Sequence, residues 1–311
     1  MTIRRLLSHP SLVAGSLIVL IFLGVALAAP LLAPRQGELP FLIPRDGSVK
    51  VPQPPGPGHP LGTMEAQNDI FYGLVWGARF AFRLSLLITA GRALLGILVG
   101  LFSGYYGRGV DAVLMRLTDS FLSFPVMVAV MVTVTLFGHD VYRVVTGYGF
   151  GFGYPMPNGP KAQLTIVLTL VAFGWMSYAR LVRGNILSER EQEYIEAARS
   201  IGMRDRRILV RHLLPNATRG LPVLIASDIG MVVVWLATFH FVGLIPTNVT
   251  MMLADWGQML AFARHWIVGG PGNAFAYWYT YLPVSAAIVL YSVGWNLVGD
   301  GLRDVLDPRL R

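Results

Sequence analysis

Apolar residues along the chain gather into runs with little helical amphipathy inside them, separated by short polar stretches. A bilayer core of ~30 Å takes roughly 20 helical residues per crossing. Six runs reach that length: Leu12 to Leu32, Phe80 to Tyr105, Val113 to Phe137, Leu164 to Leu187, Leu221 to Leu244 and Tyr279 to Val298. The pattern predicts an all-α polytopic protein with six transmembrane helices. Between the first two runs, VPQPPGPGHPLG (Val51 to Gly62) is too rich in proline and glycine for regular structure and reads as an extended linker. Asp69 to Arg79 then reads as a short interfacial helix. GYGFGFGYPMPNGP (Gly147 to Pro160) is a second irregular segment; a plain loop is favoured over contact with an outside partner.

Composition and charge fix the class and the threading. The 311 residues are 54% hydrophobic and 14% charged, against about 25% charged in soluble domains, and mean hydropathy is +0.56. The net charge of +8 does not point to nucleic acid, because the basic residues lie between apolar runs rather than on a soluble face. Counted in short loops, they orient the chain. Arg4 and Arg5, Arg108 and Arg116, the stretch from Arg190 to Arg219, and the tail with Arg303, Arg309 and Arg311 fall on one side. Both termini are therefore expected in the cytoplasm. The first run with its Ala26-Leu27-Ala28 resembles a signal peptide, but its length favours a retained anchor. With no cysteine, disulfides and thiolate metal sites are excluded.

One polar segment sits between the fourth and fifth runs: EYIEAARSIGMRDRRILVRHLLPNA, Glu193 to Ala217. Strong helix formers predict a helix over Glu189 to Ile201, with Tyr194, Ile195, Ala198 and Ile201 as an apolar stripe. Gly202 allows either a positive φ or a close backbone approach, a second helix follows, and Pro215 is expected to stop it. A plain loop, a membrane-surface helix and a docking element all fit. The small-residue step of Ala197, Ala198 and Gly202 favours docking, while Glu193 and Glu196 dilute the basic face of a surface helix.

Energy-transducing chemistry is missing from the chain. There is no Gly-x-x-x-x-Gly-Lys-Ser/Thr loop, and no two of its histidines stand three or four residues apart, as helical metal ligands would. Ser85, Ser103 and Ser292 read as helix-packing residues. Arg92 sits in mid-span, where a charge costs about 3 kcal/mol; it is either a pathway residue attracting a carboxylate or, as favoured, an ion pair with Asp228. Asp119 and Asp228 also suit helix boundaries. His240 reads as a packed histidine hydrogen-bonded to backbone before it reads as a substrate contact.

Glu196-Ala197-Ala198, Gly202 and Leu214-Pro215, with the spacing between them, resemble the EAA motif of ABC importer permeases. His212 replaces the usual aliphatic residue, and Arg211 to Asn216 then has the form of the peptide and nickel branch. HPLGT from His59, Gly77 to Arg79, Phe124-Pro125, Ala179 to Gly184 and the ending from Asn296 resemble the second, C-type permease of dipeptide, oligopeptide and nickel importers. Met64 to Asp69, Leu236 and the loop from Gly138 to Gln163 depart from that pattern. The resemblance implies a type I importer permease fold in a prokaryotic plasma (inner) membrane. It divides the chain into a tail and first span (1–33), an external segment (34–79), a five-helix core (80–300) with a coupling loop at 188–219, and a cytoplasmic tail (301–311). It implies a non-catalytic subunit with no cofactor of its own, ATP and Mg being held by partners. Those partners are a homologous second permease, two cytoplasmic ABC ATPases, an external substrate-binding protein and membrane lipid, but no nucleic acid. The implied cargo is di- or oligopeptide, with nickel chelates or other small solutes as the alternative; a secondary transporter is disfavoured for want of inverted repeats and intramembrane acids. Contact with the ATPase is implied for Tyr194, Glu196, Ala197, Ala198, Gly202, Met203, Arg204, Asp205, Leu214 and Pro215. Arg92, Asp228 and His240 are the candidates for the translocation pathway.

Overall fold

The computed structural model describes residues 9–34, 40–45, 47, 51–137, 160–245, 252–268, 273 and 275–306. Its principal helices are α1 (Pro10–Leu32), α2 (Ile70–Tyr106), α3 (Arg108–Ser123), α4 (Val126–Phe137), α5 (Pro160–Ala172), α6 (Met176–Glu189), α7 (Glu193–Ser200), α8 (Leu221–Val242), α9 (Trp256–Val268) and α10 (Trp278–Leu306). Five helical stretches are long and apolar enough to cross a membrane, and a bent pair brings the number to six among the described residues. The all-α polytopic expectation holds, and α1, α8 and α10 lie where the first, fifth and sixth runs place them.

Helices α1, α2, α8, α9 and α10 pack around one apolar core. At its centre the Tyr291 ring lies 5.7 Å from Phe22, 5.1 Å from Phe82 and 5.8 Å from Trp256, all edge-on. The Tyr291 hydroxyl, 3.0 Å from Ser85 Oγ, has a partner, as a buried phenol requires. That pair confirms a packing role for Ser85.

Three expectations need correction. The interfacial helix over Asp69 to Arg79 is not separate: α2 runs 37 residues without a break, about 55 Å at the α-helical rise. Asp69 starts it by accepting from the Tyr72 N–H, and its other carboxylate oxygen lies 2.6 Å from His59 Nδ1. Nor is 51–62 an extended linker. Backbone bonds close it into turns (Gly56 with His59, Thr63 to Gln53), Gly62 adopts φ +81°, and the Tyr279 hydroxyl donates to Pro52 O at 3.1 Å. The third run is not one straight helix, since α3 and α4 meet at 86°. Pro125 removes a donor and pushes Phe124 out of the α region, and Phe124 adopts φ −87°, ψ 123°.

Helix α9 lies in a stretch where no element was expected. Asp255 starts it by accepting from the Gly257 N–H at 2.9 Å, an N-cap bond, and its inner face is buried against α8 and α10. The aromatic-rich segment from Gly147 lies, through residue 159, outside the described residues, as does most of the 138–163 loop.

Candidate functional site

The polar segment folds as a two-armed elbow. Helix α7 ends at Ile201, where Gly202 takes φ +77°. The Gly202 N–H donates to Arg199 O at 2.9 Å and the Met203 N–H to Ala198 O at 3.1 Å. This pair of bonds is a Schellman motif, which satisfies the last carbonyls of a helix and favours glycine at the left-handed position. A Cβ added at Gly202 would meet nothing within 4 Å, so of the two roles open to this glycine the structure selects the positive φ. Valine at 202 is expected to cost about 1–2 kcal/mol of local stability from the left-handed backbone alone, checked as faster amide exchange across α7 with membrane insertion unchanged.

The second arm spans 205–217, and Pro215 does not stop it. Asp205–Ile208 is α-helical, Leu209–Leu213 widens into a π-turn, and Leu214–Ala217 resumes α geometry. The Leu214 N–H reaches back to Leu209 O. This wider turn accommodates a proline ring that would otherwise clash with the carbonyl four residues earlier. The arm turns instead at 218–220, where Gly220 has φ +84° and Pro222 sits in the first turn of α8.

Between the arms lies a small core of the elbow's own. Ile195, Ala198, Ile208, Leu213 and Ala217 are buried against Tyr178, Val182 and Ile186 of α6, with Met203 packed at its edge. The expected stripe is therefore split: Ile195 and Ala198 face inward, while Tyr194 is 41% exposed and Ile201 78%. Ala198 is 6% exposed, sharing this core with α6 and the second arm. Glu196, Ala197, Arg204, Asp205 and Pro215 lie on the outside and Leu214 is half-buried. Val210, 58% exposed, is an outward apolar group that the sequence pattern did not single out.

A closed ring of side-chain bonds clamps the elbow's base. The Tyr194 hydroxyl donates to Glu189 Oε2 at 2.6 Å and accepts from Asn216 Nδ2 at 3.0 Å. Arg219 donates to Asn216 Oδ1 at 2.7 Å, and its other terminal nitrogen lies 3.4 Å from Glu189 Oε1. Burial first, and then the Glu189 carboxylate, hold the Tyr194 phenol above its ordinary range, so it remains a donor at physiological pH. Truncating Asn216 to alanine breaks the ring at two places and is expected to cost about 1 kcal/mol, visible as faster proteolysis at 189–219.

The elbow is rigidly mounted on α6, which lies unusually close to α2. A Cβ at Gly96 would come within 2.6 Å of Trp175 O, one at Gly100 within 2.6 Å of Ala179 O, and one at Gly104 within 2.7 Å of the Ile186 side chain. Glycine at every fourth position lets the two backbones touch. On its other side, Arg183 grips Asp111 of α3 through two bonds of 2.5 and 2.7 Å. Arg180 reaches Asp119 at 2.6 Å. The arginines of Ala179 to Gly184 thus serve helix pairing.

A family model described as "binding-protein-dependent transport system inner membrane component" matches residues 96–311, which include the elbow and its mount. The chain belongs to this family of transport permeases. Among its relatives is the dipeptide transport system permease DppC of Alkalihalophilus pseudofirmus, 29% identical over 99% of this chain and 89% of that protein. The glutathione transport system permease GsiD of Pectobacterium atrosepticum is 31% identical over 99% and 90%. A probable D,D-dipeptide permease, DdpC of Escherichia coli, is 32% identical over 82% and 75%.

Within the spans of this permease, the expected ion pair is formed: Arg92 Nη1 lies 2.6 Å from Asp228 Oδ1. Tyr178 donates to Asp228 Oδ2 at 3.0 Å, and Arg92 Nε donates to Leu170 O at 2.7 Å. With Arg92 4% exposed, these bonds satisfy a charge that the bilayer would penalise. His240 is packed as expected, 3% exposed, but among the described residues its ring has no hydrogen bond to backbone. Its Nε2 lies 3.0 Å from Asp255 Oδ2, out of line for a hydrogen bond. Asp228 and His240 both lie on α8 but pair with different neighbours. Among the described residues no group of three or more potential metal ligands comes together.

Proposed function

We propose that this permease is one of two homologous membrane subunits of an ATP-driven importer of di- or oligopeptides, and that its elbow seats on a separate cytoplasmic ATPase. The observation carrying this reading is the elbow itself. It is a short, internally cored element at the end of α6 that turns Ile201 and Val210 outward in otherwise polar surroundings. Helix-in-groove docking uses such apolar anchors with a charged rim, here supplied by Glu196, Arg199 and Arg204. Tyr194, Ala197 and Pro215 complete the outward surface. Ala198, Gly202, Met203, Asp205 and Leu214 set its shape. The arginine bias supports a cytoplasmic position for this end of the bundle and for both termini.

Peptide cargo is supported by the relatives, whose names specify dipeptides, glutathione and D,D-dipeptides. Arg92, Asp228 and His240 act on transport through the packing of the helices that bound the pathway. Energy comes from ATP and Mg held by the ATPases, and an external binding protein delivers the peptide. The test is to purify the permease from its own membranes, reconstitute it with its co-purifying subunits, and add the external binding protein loaded with dipeptide. Hydrolysis stimulated by the loaded protein supports the assignment. Stimulation only by a nickel chelate would change the cargo, and uptake by the isolated chain driven by an ion gradient would refute the mechanism.

A further inference from the structure

Thr165–Glu189 forms one span, yet its helical bonding is interrupted at Phe173, Gly174 and Trp175 between α5 and α6. At the break the Gly174 N–H turns to Val171 O at 3.4 Å, leaving the Leu170 carbonyl without its helical donor. Arg92 of α2 takes that place through Nε at 2.7 Å. A Cβ at Gly174 would stand 2.0 Å from Arg92 Nε, so only glycine leaves room for the guanidinium to enter.

The third run breaks too, at Phe124-Pro125. The two breaks are neighbours in space: Phe121 and Phe124 lie 5.0 and 5.7 Å from Phe173, and Phe121 lies 5.9 Å from Trp175. Beyond this aromatic knuckle, α4 and α5 pack on each other, and Thr133 and Thr169 share a hydrogen bond of 2.8 Å. Below it, α6 is locked to α2 by the Gly96, Gly100 and Gly104 contacts and to α3 by Arg183 and Arg180. α5 also packs on α2: a Cβ at Gly91 would meet the Val171 side chain rather than backbone, and the Arg92 bond to Leu170 O is the polar tie between the two helices among the described residues.

We propose that α4 and α5 form a two-helix gate that swings as one unit on the paired breaks, and that Arg92 is its latch. In the state described here the latch is closed. Nε holds the gate through Leu170, while Asp228, itself fixed by Tyr178, keeps the guanidinium charge paired. Arg92 is thereby a positioning residue for transport: it neither meets the peptide nor serves only as one half of an ion pair. When the elbow is driven by ATP, Leu170 leaves Nε and the gate turns, while the Arg92–Asp228 pair stays intact. The driving step rests on the function proposed above; the latch does not.

The absence of native cysteine allows paired spin labels at Leu168→Cys on α5 and Leu98→Cys on α2, both exposed. Pulsed EPR on the parent is expected to give one distance without nucleotide and a second in the ATP-trapped complex. Arg92→Lys keeps the charge but has no Nε donor placed for Leu170, and Gly174→Ala expels the guanidinium. Either variant is expected to populate the second distance already without ATP, with insertion unchanged. A role confined to ion pairing predicts that Arg92→Lys behaves as the parent, which would overturn the latch. One unchanged distance in a parent complex that hydrolyses ATP would overturn the gate. A parent complex in which loaded binding protein leaves hydrolysis unchanged counts instead against the proposed function, while the variants still report on the latch.

Discussion

Leucine in place of Gly100 is expected to force α2 from α6 and to prevent stable assembly of the permease. The added Cβ would stand 2.6 Å from Ala179 O and 3.0 Å from the Arg183 N. These are backbone atoms of a helix, so no rotamer change relieves the overlap. Overpacking costs about 1–3 kcal/mol when side chains can shift, and this site belongs at or above the upper end. The Arg183–Asp111 bonds and the elbow core both depend on the position of α6, so the damage spreads to the coupling surface. Thermal unfolding in detergent should show a large drop in midpoint, whereas Gly109→Leu, where a Cβ meets nothing within 4 Å, should leave it close to the parent.

Glutamate at Ile201 is expected to do the opposite, leaving the fold intact and removing coupling. Ile201 is 78% exposed and takes no part in the elbow core, so the uncomplexed permease should insert and unfold as the parent does. In the docked complex the same position would bury a charge in an apolar contact. Losing an anchor of this kind costs about 2 kcal/mol or more in protein interfaces, roughly a thirtyfold weaker association with the ATPase. Peptide-stimulated hydrolysis should fall with it. The contrast with Gly100 separates a residue that builds the mount from one that meets the partner.

Much of this architecture was legible in the sequence because bilayer thickness is a strict ruler. Runs of sufficient length located α1, α8 and α10 closely, and the Arg92–Asp228 pair followed from the cost of an isolated charge in lipid. Breaks were harder, since hydropathy is blind to backbone direction. Phe124-Pro125 carried a visible signal in its proline, but Gly174 carried one only through the arginine on another helix that needs its missing side chain. The spacing of Gly96, Gly100 and Gly104 was also readable as a close-packing stripe, although it is hidden inside an apolar run. In the elbow the helix, the glycine stop and the following arm were accessible. Which alanine faces outward was not, because Ala198 is buried in a cluster of residues distant in sequence, from Tyr178 to Ile186 on one side and Ile208 to Ala217 on the other. Pro215 misled for a related reason: a π-turn before it allows helical backbone to continue where local rules predict a stop.

The central claim is that the outer face of this elbow seats on an ATPase, and site-specific cross-linking in native membranes tests it most directly. With no native cysteine in the background, a single cysteine carrying a short photoreactive probe can be placed at Ile201, at Val210 or at the exposed but remote Leu20. Ile201 and Val210 are predicted to give one adduct of permease and ATPase subunit, lost when Ile201→Glu is combined with the Val210 probe, while Leu20 gives none. Adducts from Leu20 alone, or none from Ile201 and Val210 in membranes that still import peptide, would contradict the account.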